Sequence, residues 1–358
     1  MERARPWTRI AVAGAGAWGT ALAGVAARAG ARTVLLARRP GQAEAIRRDR
    51  RNPDYLSDHL LPERLEATHE AEAAYAGAEA ALLVTPSHGL AEAARIAHAL
   101  LPSAAPLVIC AKGIDRATGR LMSELAEEAA PGRELAVLSG PSFAGEALAG
   151  LPTAVAIASA CALGPEAHGS VAARAALTLG APGFRADLTD DMVGVQIAGA
   201  AKNVVAIACG MASGAGMGRN TIAALMARGL REVLLLTAAM GGRAETAAGL
   251  AGAGDLTLTC TSEQSRNFSF GVRLGRGSTP ERRPDGRPIL VEGAESAKSV
   301  LALSRRLQVE TPLFQSVCAV IHEARDFDEA LDALWRAPME AEALRLDIRL
   351  PHPAARDG

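Results

Sequence analysis

The chain has 358 residues, with 49% apolar and 22% charged side chains and a formal net charge of −1. That length holds two domains with cores of their own, and the apolar content is ordinary for a globular protein. Balanced charge supplies no basic field for nucleic acid or an anionic membrane surface, and 3% aromatics leave little for a base-stacking platform.

Residues 9–15, RIAVAGA, read as a buried parallel strand, residues 18–29 as a helix, and residues 32–38, RTVLLAR, as a second strand. The uncharged stretch 10–27 follows Arg3, Arg5 and Arg9, which mimics a signal peptide or a short span. It is Ala/Gly-rich and only weakly apolar, and its glycines have another explanation, so neither export nor stable membrane insertion is expected. Gly14, Gly16 and Gly19 form a G-x-G-x-x-G register between strand and helix. Gly14 suits a tight turn, Gly16 a close approach of backbone to a pyrophosphate, and Gly19 close helix–strand packing. An NAD site usually ends its second strand with an acid that binds the ribose 2′-hydroxyl. Here Arg38 and Arg39 stand there, and two guanidiniums suit a 2′-phosphate. NADP(H) is therefore expected over NAD(H), the alternative being two solvated arginines in an Arg-rich chain.

Further strands are expected at 80–86, 106–112, 135–140 and 153–158, separated by helices such as 89–101 and 117–129. Such alternation indicates a parallel sheet covered on both faces. Lys112 ends the 106–112 strand, and SGPSF (139–143) ends the next. Open α/β sheets bind ligands at that edge. His88 also follows a strand end, as a site-lining residue or an ordinary loop histidine. Beyond residue 187 strand signals nearly vanish. Helices are expected at about 189–212, 219–240, 262–275, 293–307 and 312–325, with Asp190 and Asp191 favoured in a first turn by the helix dipole. A Pro/Gly/Arg-rich loop spans 276–288, and the tail 350–358 is expected to fray. The division is thus a dinucleotide-binding Rossmann domain over 1–187, doubly wound and mostly parallel, and an all-α substrate-binding domain over 188–358.

Of 38 basic residues only three are lysine: Lys112, Lys202 and Lys298. Where positive charge alone is needed this chain uses arginine, and only lysine can shed its proton when partly buried. Lys112 and Lys202 are therefore candidates for proton chemistry, against the alternative of lysines that snorkel at a helix edge. In residues 251–271, Asp255 precedes a run of Thr and Ser and then Ser265, Arg266 and Asn267. Ser262 is a candidate helix cap, with Arg266 and Asn267 in the first turns as an anion site. The five cysteines are scattered, form no C-x-x-C pair and read as buried thiols of a reducing cytoplasm. Histidine spacing supports no metal site.

Together GAGAWGTALA, NPDYL, CAKGI, GPSFAGE, AAKNVVAIACG, GDLTLTCTSEQSRNFSFG and VEG resemble the NAD(P)-dependent glycerol-3-phosphate dehydrogenases of bacterial type, over about residues 8–325. The resemblance implies reduction of dihydroxyacetone phosphate to sn-glycerol 3-phosphate and the reverse oxidation, feeding glycerophospholipid synthesis in the cytoplasm. It also implies a second domain of the 6-phosphogluconate dehydrogenase C-terminal-like type and a homodimer. By motif, Lys202 matches the catalytic lysine, and Lys112 a second lysine at substrate and nicotinamide. Asp255, Ser265, Arg266 and Asn267 match substrate residues, as do Gly140 and Ser142. Arg266 is also at the cofactor, and Asp255 is also catalytic, tempering the mutual repulsion by which the two lysines lower a pKa toward working pH. Trp18, Arg38, Tyr55, Ala144, Leu290 and Glu292 match cofactor positions. Ala17, in the glycine loop, replaces a serine frequent in the family, and Ser57 a usual proline. Rival readings are a β-hydroxyacid or 6-phosphogluconate-type dehydrogenase and a dinucleotide-binding regulator without catalysis. The GDLTLTCTSEQSRN block opposes the first, and retention of both lysines the second.

Overall fold

A computed structural model describes residues 4–163, 167–278 and 291–337, and the backbone of 339–340 and 349–350. Leu290, most of the expected 276–288 loop and nearly all of the tail 350–358 lie outside the described residues.

Eight strands form one sheet: β1 (Arg9–Ala13), β2 (Arg32–Leu36), β3 (Leu65–Thr68), β4 (Ala80–Leu83), β5 (Leu107–Ile109), β6 (Leu135–Ser139), β7 (Thr153–Ser159) and β8 (Phe184–Thr189). Their order is β3-β2-β1-β4-β5-β6-β7-β8. From β3 to β6 every neighbour is parallel; β7 runs antiparallel to β6 and β8 parallel to β7. The chain winds outward from β1 to β3, then returns to lay β4 on the other side of β1. That reversal opens a crevice above the carboxyl ends of β1 and β4, the position at which such sheets bind dinucleotides. The doubly wound, mostly parallel expectation is met.

All the expected strands but β7 are shorter than the apolar runs suggested. β5 stops at Ile109, so Lys112 lies in the loop beyond it. β3 (LEAT) and β8 (FRADLT) were not expected. Both are edge strands with exposed polar positions, so neither shows the apolar run of a strand buried on both faces. One face of the sheet packs through Val12, Leu35 and Leu82 with Leu22 and Val25 of the helix Ala17–Arg28, and the other through Ala11, Leu83 and Ile109 with Leu90 and Ala94. The N-terminal apolar stretch is thus core strand and core helix.

Helices dominate after β8: Met192–Gly214, Arg219–Ala239, Asp255–Cys260, Arg266–Gly275, Glu292–Arg306, Pro312–His322 and Phe327–Trp335. Asp191 is the cap of the first. Its Oδ1 accepts from the Gly194 N–H at 2.8 Å and its Oδ2 from the Arg243 N–H at 2.8 Å. Met192–Gly214 is the one described helix long and apolar enough to cross a membrane, and 89% of its apolar window is buried within the protein. Ile197, Ala201, Val204 and Val205 centre the core of the helical layer. Four cysteines are buried, but Cys161 is exposed, contrary to the expectation for all five. It follows β7 in a turn with φ 59°, outside the sheet's packed faces.

Candidate active site

The glycine loop has the geometry its register requires. Gly14 has φ +115°, and a Cβ there would lie 2.4 Å from the Val84 carbonyl oxygen. A Cβ at Gly19 would lie 1.8 Å from the Gly14 oxygen, so helix and strand touch through glycine. At Gly16 a Cβ would meet nothing within 4 Å. This open space faces the start of the helix Ala17–Arg28, whose first N–H groups have no side-chain cap. Free N–H donors beside open space fit a pyrophosphate. Ala17 and Trp18 form the first turn, and Trp18 rests against the sheet core.

Two polar residues with no assigned role in the motifs hold this loop. Asn52, fully buried, donates from Nδ2 to the Ala15 carbonyl at 3.0 Å and to Thr20 Oγ1 at 2.7 Å. Gln42 donates to the same Ala15 carbonyl at 2.9 Å. Asn52 begins the NPDYL block, where Tyr55 is exposed. Beyond β2, Arg38 and Arg39 both reach solvent. Arg38 has no ion pair among the described residues, whereas Arg39 pairs with Asp54.

The second cluster gathers residues from four distant stretches. Lys112 Nζ lies 2.6 Å from Asp255 Oδ2, and Lys202 Nζ lies 2.7 Å from Asp255 Oδ1. Lys202 Nζ is also 2.7 Å from Thr259 Oγ1, which donates to the Asp255 carbonyl at 2.6 Å. Asp255 and Lys202 are buried, and Lys112 is the more open of the lysines, with 19% of its side chain exposed. Thr259 has no assigned role in the motifs. Its signal was available: it follows Asp255 by four residues, one helical turn, on the same face. A π-turn, Leu250–Gly254, delivers Asp255, and Pro141 of the SGPSF loop packs against Gly254. Ser142 donates to the Gly140 carbonyl at 3.0 Å. Gly140 has φ +153° and abuts Val155. Ala144 is the first residue of the next helix, Ala144–Ala149.

Electrostatics follow from burial. Removal from water lowers the Lys202 pKa from 10.5 to about 8, with a second lowering from the Lys112 charge and opposition from Asp255. Burial works to raise the Asp255 pKa, but Lys112 and Lys202 outweigh it and leave the carboxyl below its usual range. Glu292 is the first residue of its helix. Removal of its carboxyl from water raises the pKa, against the pull of Lys112, Lys202 and Arg266. These mutual effects put Glu292 and Arg266 in the same charged neighbourhood as the lysines.

The helix expected from residue 262 begins at Arg266, and its cap is Ser265, not Ser262. Ser265 Oγ accepts from the Phe268 N–H at 3.2 Å, while Ser262 Oγ accepts from the Gln264 N–H in the preceding turn. Arg266 is exposed at the helix start, and Asn267 is buried beside it. Asn267 Oδ1 accepts from the Gly293 N–H at 2.9 Å, and among the described residues its amide NH2 forms no hydrogen bond.

Comparison with known proteins identifies the family. The N-terminus and C-terminus of NAD-dependent glycerol-3-phosphate dehydrogenase match residues 9–163 and 191–332. The chain belongs to the NAD-dependent glycerol-3-phosphate dehydrogenase family. It is an oxidoreductase of the kind that interconverts dihydroxyacetone phosphate and glycerol 3-phosphate with NAD(P). The Rhodospirillum rubrum glycerol-3-phosphate dehydrogenase [NAD(P)+] is 45% identical over 93% of each chain. The Brucella canis enzyme of the same name is 44% identical over 94% of this chain and 99% of its own. A Coxiella burnetii glycerol-3-phosphate dehydrogenase structure superposes with a TM-score of 0.83 at 35% identity, covering 92% of this chain and 98% of that one. A D-mandelate dehydrogenase at 14% identity, with a TM-score of 0.59 and 90% of this chain and 99% of that chain covered, shares the fold alone.

Proposed function

We propose that this chain reduces dihydroxyacetone phosphate to sn-glycerol 3-phosphate and runs the reverse oxidation, with Lys202 as the proton donor. The observation that carries the assignment is the buried carboxylate of Asp255 held between Lys112 and Lys202. Nicotinamide, when bound, supplies or takes the hydride at C2.

The chain's own residues do the rest. With a pKa of about 8, Lys202 Nζ carries a proton near neutral pH and can release it to the C2 oxygen. In oxidation the neutral amine takes the proton back. Asp255 and Thr259 fix Nζ in place, and Asp255 keeps both ammonium groups in one buried site. Lys112, the more open lysine, polarises the same oxygen. Arg266, the Asn267 amide and the first N–H groups of their helix hold the phosphate, with Ser265 shaping that turn. Gly140 and Ser142 border the substrate. The glycine loop with Gly14, Gly16, Ala17, Trp18 and Gly19, together with Arg38, Tyr55, Ala144 and Glu292, receives the cofactor. Leu290 is carried over from the resemblance alone.

Residues 1–187 serve as the cofactor domain and 188–358 as the substrate domain. Arg38, exposed and without an ion pair among the described residues, supports a preference for NADP(H). The product supplies glycerophospholipid synthesis, in the cytoplasm, from a homodimer. Free cysteines throughout the described residues suit a reducing compartment.

The test is loss of reduced-nicotinamide absorbance with purified protein, dihydroxyacetone phosphate, and NADPH or NADH in parallel. Substrate-dependent loss, faster with NADPH, is expected. Folded protein that binds cofactor but shows no loss with either would reject the assignment.

A further inference from the structure

The Arg39–Asp54 ion pair places a carboxylate where a 2′-phosphate reader is expected to be purely basic. Asp54 does not reach that place by chance of a loose loop. Its N–H donates to Asn52 Oδ1 at 3.3 Å, and Asn52 is anchored on the Ala15 carbonyl of the glycine loop. Arg39 is equally placed, because its backbone caps the helix Pro40–Asp49 directly after β2. Both side chains remain partly open, at 58% and 36% exposure, so a ligand can compete for either.

A ribose 2′-hydroxyl and a 2′-phosphate demand opposite partners. The hydroxyl donates, and a carboxylate is its usual acceptor in NAD sites. The phosphate is an anion that seeks guanidinium and is repelled by carboxylate. We propose that Asp54 is a specificity-determining residue. It accepts the ribose 2′-hydroxyl of NAD(H), and it competes with the 2′-phosphate of NADP(H) for Arg39. Asp54 thereby replaces, from a different loop, the acid missing at the end of β2. An exposed ion pair is weak, so phosphate can displace the carboxylate without unfolding the loop. The site then admits both cofactors, with Arg38 as a cation that Asp54 does not neutralise. This inference rests on the reading that Arg38 and Arg39 face the ribose 2′ position.

The test compares kcat/KM for NADPH and NADH at saturating dihydroxyacetone phosphate in the wild type, Asp54→Asn, Arg38→Gln and Arg39→Gln. Asparagine keeps the shape of Asp54 and removes its charge. The NADPH-to-NADH ratio should rise roughly tenfold in Asp54→Asn, through better NADPH and poorer NADH use. A merely structural role would change both cofactors by one factor and leave the ratio fixed, which overturns the proposal. The arginine variants separate the two ideas. If they lose NADPH selectively while Asp54→Asn leaves the ratio unchanged, the arginine reading stands and the Asp54 proposal falls. If none of the variants alters the ratio, both fall.

Discussion

Lys202 sets the pH behaviour expected of this protein. Burial and the Lys112 charge bring its pKa down from 10.5 to about 8. Reduction needs the ammonium and oxidation needs the amine. Turnover in reduction should therefore fall as pH rises through about 8, while turnover in oxidation should rise over the same range. Asp255 is what keeps the value from falling further. Asp255→Asn should move the reduction limb to lower pH and weaken turnover, because two ammonium groups then face each other without a counter-charge. Lys202→Arg keeps a charge but cannot donate its proton at these pH values, so a loss of roughly 10²–10⁴ in turnover is expected. Rate profiles in both directions check this. A limb near pH 8 that survives in Lys202→Arg would assign it to another group. The sequence pointed to Lys202 and Lys112 through the scarcity of lysine. The resemblance set Asp255 beside them, but spacing alone could not show one carboxylate joining both, because the partners stand 143 and 53 residues away.

At the scale of elements, Glu232 joins two helices of the substrate layer. It lies on Arg219–Ala239, buried, and accepts from the Leu313 N–H at 2.8 Å and the Phe314 N–H at 3.1 Å. It thus caps the start of Pro312–His322 from outside. Burial raises its pKa from 4.5 to about 7, against those two N–H donors and the charges of Arg228 and Arg231. The folded value lies above the unfolded one, so the fold favours the protonated acid. Stability from this group is complete below pH 4.5 and is lost as pH climbs to about 7. Glu232→Gln keeps one acceptor and cannot ionise. Its melting temperature should be lower in acid than that of the wild type but change less between pH 5 and 8; an unaltered slope would place the titration elsewhere. The sequence could place such helices because their apolar period is long. It missed β3 and β8, where four and six residues at a sheet edge leave too little pattern. It missed Glu232 as well, since a cap supplied by another helix leaves no local signature.

For the whole molecule, the decisive contact is the crossing of Met192–Gly214 by Arg266–Gly275, which brings Arg266 and Asn267 toward Lys202. These helices touch backbone to backbone. A Cβ on Gly271 would lie 2.2 Å from the Ile207 oxygen, and one on Gly210 would lie 2.1 Å from the Phe268 oxygen. Gly214 and Gly275 repeat the contact one turn on. The spacing is visible in the sequence, but with 36 glycines it did not stand out from the background. In an exposed helix, Gly→Ala gains up to about 1 kcal/mol. Here the added methyl meets backbone that cannot rotate away, and overpacking of this kind costs about 1–3 kcal/mol. Gly271→Ala should therefore destabilise, with the sign opposite to helix propensity. Its functional effect should also be one-sided. The glycine loop sits on the sheet and does not depend on this crossing, so binding of reduced nicotinamide should change little. The phosphate-holding helix start does depend on it, so KM for dihydroxyacetone phosphate should rise several-fold more than the cofactor dissociation constant. Cofactor titration and substrate kinetics on the same preparation measure both. Equal weakening of the two would mean that the helix crossing positions the whole cleft rather than its substrate half.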